Sequence, residues 1–565
     1  MTTSSDGGAI RLGGLASGFD TEAIVEQLLA SDQARIDNER EEKEINAAKI
    51  QTWEDVAEQL RLLSETVAKL KASGTLGDTL FDNKIVSSSS DTVASGIAVS
   101  NSLSGSYNLI VNNIARTQVV YGEQKADTFT VSSGSFVLNG TTITSDGGET
   151  LEELADKINA SNYPLGEEII ANVIDNRLVI QTKNSGSDFS IYGTNATPPP
   201  FSLPSDDPDN ILENELGIID NTGNFNNIAQ TSANADLTIN GVPLTPSSNM
   251  ISDAINGLTI NLLSAGTTEL SIKHDTEQVK STISDFVDLY NETRSLISRI
   301  REAKLDEEDL FGLFSNDPLL RQLFNTIRSL TTLGVTCVNG DWEGSLATEA
   351  ANINDSSITI NGFDPAAANL YKGDSFVIPG HSQAYTLTND ANISSGSAVI
   401  DFYPPLENSI SLGQITGPLV QTMEDFGVGT RTDTVSGIEG IIGIIDPAKL
   451  ETALSSDMAS IKRIFNRNHN EKQSHMGVAR RLYDWIDAQI KISAFVNKTR
   501  SIEDIAIPGI EKKNEGIDDQ IERLERSLEQ KRRSLIRKFA EMENAISKTQ
   551  SLGAAIGQIS GSTGS

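Results

Sequence analysis

The sequence predicts an α+β multidomain protein in which the N- and C-terminal segments fold together as a discontinuous helical coiled-coil stalk carrying inserted β-rich head lobes. Three observations carry this. Segments at the start, middle and end of the chain repeat apolar residues at alternating three- and four-residue steps among charged ones, which is the period of a helix seam. The stretches between them switch to period two. Aromatics make up only 5% of the chain, while glycine and small polar residues are frequent, as suits β-rich surface lobes.

The C-terminal seam runs through Ile517, Ile521, Leu524, Leu528, Leu535, Phe539, Met542 and Ile546. Lys531 and Arg532 interrupt its apolar step, and a local stutter rather than a helix end is expected there. So narrow a stripe gains little from propensity alone and needs a partner helix. Between Phe19 and Ser73 there is neither Gly nor Pro, and Trp53, Val56, Leu60, Leu63, Val67 and Leu70 keep the same step. A third seam comprises Val279, Ile283, Phe286, Tyr290, Ile297 and Ile300, with the polar Thr293 in register and Asp275 as cap. Periodicity alone fits an ordinary helix bundle equally well.

Taken in order, residues 1–40 and 547–565 read as flexible terminal legs. Segments 41–84, 275–337 and 423–546 read as the stalk. Segments 85–125 and 232–274 form an inner head lobe, 126–231 an outer one inserted into it, and 338–422 an extra β module. Asp20 can cap a helix whose first turns carry the apolar patch Ile24, Val25, Leu28 and Leu29. That patch either packs on the bundle or docks on another protein. Strands are expected around 107–111, 178–182 and 237–240, and in the extra module around 357–360, 374–378, 384–388 and 398–402. Thr150 and Glu153 form a capping-box pattern, and Asp317-Pro318 and Asp446-Pro447 read as helix starts.

The formal charge of −34 excludes a nucleic-acid partner, whose phosphates require a basic face. No apolar run is long enough for membrane insertion, and residues 1–18 lack the basic start and apolar core of a cleavable secretory signal. No set of residues converges as a catalytic, cofactor-binding or metal site. Cys337 is the one cysteine, read as a packed or half-exposed small residue rather than a nucleophile, and the histidines at 274, 381, 469 and 475 are scattered. Asp206, Asp207 and Asp209 resemble a calcium loop only superficially, because Pro208 breaks the ligand spacing, and a solvated acidic loop is expected. Gly437, Gly440 and Gly443 fit no phosphate loop and read as turn and packing glycines.

Several stretches together resemble the family of bacterial flagellar filament cap proteins, the hook-associated protein 2 family. They are Gly14 to Thr21, Gly105 to Ala115, Leu237 to Val242, Asp253 to Leu262, Phe286 to Asn291, Asp446 to Leu450, and Gln520 to Leu524 through Met542-Glu543. The resemblance implies a non-enzymatic subunit of a homo-oligomeric ring at the distal filament tip, with flagellin as partner. It also implies export through the flagellar type III apparatus, aided by a chaperone. The module at 338–422 departs from the family's usual run and has some likeness to small β modules of phage virion proteins. A surface or phage-like adhesin and another hook–filament junction protein are the alternatives. The contact with the filament is expected at Ile24, Val25, Leu28 and Leu29 together with Leu552 and Ile556.

The seam carries a first prediction. Leu524→Pro removes a backbone hydrogen bond and breaks the helix at a cost of about 3 kcal/mol. Thermal unfolding of the stalk followed by circular dichroism is expected to lose its cooperativity, and an unchanged melt would show that the seam is not structural.

Overall fold

The computed structural model describes residues 18, 20–71, 80–195, 199–302, 314, 317–336, 346–363, 369–431, 440–467, 475–491 and 499–561. Residues 1–17, Cys337, Gly437 and His469 lie outside them. The chain divides into two compact units, one made of residues 1–73 with 280–565 and the other of residues 74–279.

The helices are α1 (Thr21–Leu70), α2 (Leu151–Ala160), α3 (Thr276–Glu302), α4 (Pro318–Thr332), α5 (Pro447–Ser456), α6 (Met458–Asn466), α7 (Val478–Asp487) and α8 (Ile507–Gly561). Their starts follow from local chemistry. The Asp20 carboxylate accepts from the Ala23 amide, Asp317 from Leu320 and Asp446 from Lys449, in the last two with proline at the first helical position. Thr150 and Glu153 close the full capping box of α2. At the far end of α4, the buried Arg481 donates to the carbonyls of Leu333 (2.6 Å) and Gly334 (3.4 Å). A cation there opposes the negative end of the helix dipole. Burial nevertheless pushes its guanidinium down to about 10.

Within the first unit α3 turns its seam inward, and Ile283, Phe286, Tyr290, Thr293, Ile297 and Ile300 are fully buried. Phe286 meets Phe465 of α6 edge-on at 6.0 Å. The Tyr290 hydroxyl accepts from Thr331 of α4 and donates to the Gly440 carbonyl. Asn291 exchanges two hydrogen bonds with Ile442, in the strand Ile441–Ile444. These partners set α3 among α4, α6 and that strand, so similar periodicity in three helices does not put them on one seam. This strand pairs with Val428–Arg431.

Residues 74–279 hold two cores. In the inner lobe a five-stranded antiparallel sheet (Lys84–Ser88, Gly266–His274, Gly105–Asn113, Asp236–Ile239, Val242–Leu244) accompanies a three-stranded one (Met250–Ile255, Leu258–Leu262, Ala94–Ala98). Their alternating inward residues make a single core, among them Leu109, Val111, Leu237, Ile260 and Leu270. The outer lobe has its own core around Phe136, Leu154, Ile158, Ile180 and Ile211. Three hairpins close through two-residue turns with both φ positive: Asn139-Gly140, Asp175-Asn176 and Asn240-Gly241. These left-handed pairs match the twist of the strands they join.

The acidic loop of the outer lobe is solvated only in part, with Asp209 exposed. Asp206 and Asp207 are both buried. Asp206 accepts from the Ser202 amide and the Thr194 hydroxyl, and Asp207 from the amides of Ile211 (2.8 Å) and Glu213 (2.9 Å). Burial pushes the Asp207 carboxyl up, against the pull of those amides. Their role is to satisfy backbone donors within the fold.

The extra module is a closed barrel of six strands: Leu346–Thr348, Ser357–Asn361, Ser397–Tyr403, Ala384–Leu387, Ser375–Val377 and Ile415–Pro418. Closure removes sheet edges. Phe376, Tyr385 and Phe402 stack inside it with centroids 5.3 to 5.4 Å apart.

α1 and α8 lie antiparallel, as the order of their cross-helix pairs shows: Asp32 with Lys531, Arg40 with Glu525, Lys43 with Asp518 and Asn46 with Asn514, with Arg61 reaching Glu503 in the turn just before α8. α8 is unbroken through Lys531, which bridges across the seam to Asp32 at 2.6 Å. Asn46, only 2% exposed, donates to Asn514 Oδ1 at 2.9 Å. Among apolar neighbours such a pair fixes register at some cost in stability. Asn46→Ala is expected to lower stability by about 1–3 kcal/mol by leaving Asn514 unpartnered. Asn46→Leu with Asn514→Leu is expected to match or exceed the wild-type midpoint in chemical denaturation. Equal destabilisation by both variants would refute the pairing.

Candidate interaction site on the terminal helices

The segments expected to be flexible legs are in large part helical. Residues 21–40 begin α1, and residues 547–561 complete α8. The physical reason is the seam itself: Val25, Leu29 and Ile36 are 4%, 6% and 1% exposed, so the apolar side of the first turns is used for packing. The apolar patch at the start of α1 is therefore divided. Val25 and Leu29 are buried, Ile24 is half-buried, and Leu28 is 49% exposed.

Further along α1, Trp53, Val56, Leu60, Leu63, Val67 and Leu70 are all buried. Trp53 meets Phe314 edge-on at 5.3 Å, and α7 lies against the end of the helix, where Lys71 sits 3.4 Å from the Tyr483 ring centroid. Val279 is buried as well. The α8 seam behaves differently. Ile517 is buried, and Ile521, Leu524, Leu528, Leu535, Phe539 and Ile546 are half-buried. Met542 is 38% exposed and Leu552 62%, and the Ile556 side chain lies outside the described residues.

The gradient has a geometric cause. With Asp32 level with Lys531, the first helical residue of α1 falls level with about residue 542. α8 continues for roughly 28 Å beyond that point at 1.5 Å per residue. The structure thus brings Leu28 close to the end of the paired region and carries Leu552 past it. It does not bring Ile24, Val25, Leu28, Leu29 and Leu552 together as one surface.

The arrangement offers shape and apolar area, not chemistry. Among the described residues no group of His, Cys, Asp and Glu is placed to hold a metal ion. None of the described helices is long and apolar enough to cross a membrane. His475 is buried, and His381 hydrogen-bonds Tyr385 within the barrel. His274 joins the Phe81 carbonyl to the Lys84 ammonium. The Asn46–Asn514 pair was not singled out from sequence, although a signal existed. Carried back from Trp53, the alternating step passes through Ile50, Asn46, Lys43, Glu39, Ile36, Asp32, Leu29 and Val25.

Comparison with known proteins bears on most of the chain. The family model for the flagellar hook-associated protein 2 N-terminus matches residues 17–118, and that for its C-terminus matches residues 232–343 and 382–551. An A-type flagellar hook-associated protein 2 from Pseudomonas aeruginosa is 27% identical over 341 residues, covering 56% of this chain and 70% of that protein. A flagellar hook-associated protein 2 from Campylobacter jejuni is 26% identical over 333 residues, covering 49% of this chain and about half (48%) of its relative. The crystal structure of the D1-D2-D3 domains of the flagellar cap protein FliD from Escherichia coli is similar with a TM-score of 0.47 and 17% identity, covering 81% of this chain and 99% of that one. The two family models meet the chain at its first helix, its inner lobe and its last helix, and the chain belongs to the flagellar hook-associated protein 2 family.

Proposed function

We propose that this chain is a structural cap at the distal tip of the bacterial flagellar filament. It acts as a homo-oligomeric ring that retains exported flagellin and promotes its folding and insertion. The observation that supports this most directly is the match of both ends of the chain to the hook-associated protein 2 models, on the helices whose far end leaves apolar side chains uncovered. The mechanism needs no catalytic residue. A ring closes a chamber over the growing end, and the terminal helices make weak contacts between flagellin subunits that release one at a time as each new subunit enters.

Within this proposal the filament contact is made by Leu28 and the extension of α8 that carries Leu552. Val25 and Leu29 instead hold the helix pair together, and Ile24 is half-buried beside them. The chain travels through the flagellar type III export apparatus, with an export chaperone, and needs no cleaved leader.

A strain lacking the chain is expected to bear short or absent filaments and to shed monomeric flagellin into the medium; normal filaments would overturn the proposal. Leu28→Ser combined with Leu552→Ser is expected to leave the thermal midpoint unchanged, since both side chains are exposed, and to increase flagellin release. Unchanged release would move the filament contact elsewhere.

A further inference from the structure

In a chain of formal charge −34, α8 carries an isolated basic face. Arg523, Arg526, Arg533 and Arg537 are all exposed. At 3.6 residues per turn they fall within a sector of roughly 80°, opposite the seam through Leu524, Leu528 and Leu535. Arg526 and Arg533 make only exposed pairs within the helix, with Glu522 and Glu529, and such pairs contribute little. Arg523 and Arg537 have no carboxylate partner among the described residues.

α1 carries the complement. Glu26, Asp37, Glu41 and Glu44 are exposed and fall within a sector of roughly 60°, beside the seam through Val25, Leu29 and Ile36. Asp37 approaches Arg40 at 3.5 Å, whereas Glu26, Glu41 and Glu44 have no basic partner among the described residues.

The two stripes lie at the same height. The Asp32–Lys531 and Arg40–Glu525 bridges fix the relative register of α1 and α8. The arginines, spanning roughly 21 Å of α8, therefore lie level with the lower part of the acidic stripe, which spans roughly 27 Å of α1. Within one hairpin they cannot meet, because the arginines face away from α1.

We propose that the arginine stripe of α8 docks on the acidic flank of α1 in a neighbouring copy of this chain. Two different surfaces make a head-to-tail contact, and equal height lets it repeat by rotation without translation, so that it closes a ring rather than extending a fibre. Charge complementarity favours a second copy as occupant, since each copy presents one stripe of each sign. Elsewhere the strong net negative charge keeps copies apart. This rests on the ring proposed above and names the surfaces that join it.

The test is sedimentation velocity of the full chain over a concentration series at low and high salt. Arg523→Glu with Arg526→Glu, and separately Asp37→Lys with Glu41→Lys, are each expected to raise the half-assembly concentration about tenfold or more, since like charges then oppose across the contact. All four substitutions in one chain restore assembly, because the level positions 523 and 41, and 526 and 37, have exchanged signs. The residues are exposed, so circular dichroism spectra remain those of the wild type. Wild-type assembly that ignores both reversals, or a fourfold variant that does not recover, overturns the contact and leaves the ring standing. A wild-type chain that stays monomeric throughout removes the ring as well. Reversals that impair filament capping without changing self-association assign the stripe to an acidic surface of another protein and also overturn it.

Discussion

The antiparallel pairing of α1 with α8 is the constraint on which the first unit depends. It joins residues almost five hundred positions apart, as in the Asp32–Lys531 and Arg40–Glu525 bridges. Closing so long a loop costs entropy that grows only slowly with its length, and the seam offsets it with buried aliphatic side chains. Exposed ion pairs add little to that. Their contribution is selection of one alignment, and they share it with Asn46 and Asn514, whose amides are satisfied only when those two positions face each other. Once that alignment is set, every other feature of the hairpin follows, from the end of the paired region near Leu28 to the uncovered length of α8.

The seams were legible because a two-sided helix has few ways to hide a narrow stripe. Trp53 to Leu70 and Val279 to Tyr290 keep the alternating step and are buried. Helix starts at Asp317-Pro318 and Asp446-Pro447 were legible for a local reason, since a carboxylate ahead of a fixed φ satisfies amides that nothing else reaches. Strands in the head followed from period two. What periodicity does not encode is the identity of the partner, and so α3, with a seam like the others, turns out to sit among α4, α6 and the strand at 441–444. Lys531 was read as a break in the step because it is charged, yet it holds a seam position with Asp32 opposite it.

Other features depended on contacts far apart in sequence. Asp206 and Asp207 sit in a stretch whose composition says solvent, but Thr194, Ser202, Ile211 and Glu213 supply donors that allow both carboxylates to be buried. The division of the patch at Ile24 to Leu29 was equally out of reach, because a four-residue apolar cluster does not reveal which of its members faces a helix from the other end of the chain. Cyclic closure of the six strands between 346 and 418 is likewise a matter of pairing order, to which alternation within each strand is indifferent.

The barrel is attached in a way that has a consequence of its own. On its N-terminal side Val335 and Thr336 pair with Gln421 and Val420 on its C-terminal side, so the chain leaves the helical unit and returns to it at neighbouring positions on one small ladder. Adjacent entry and exit are what make a surface position tolerant of inserted domains. The helices on either side register only a short two-stranded clasp, whatever is held above it. The clasp is thus a socket, through which lineages, or an engineer, can exchange the displayed module while α1 and α8 keep their alignment.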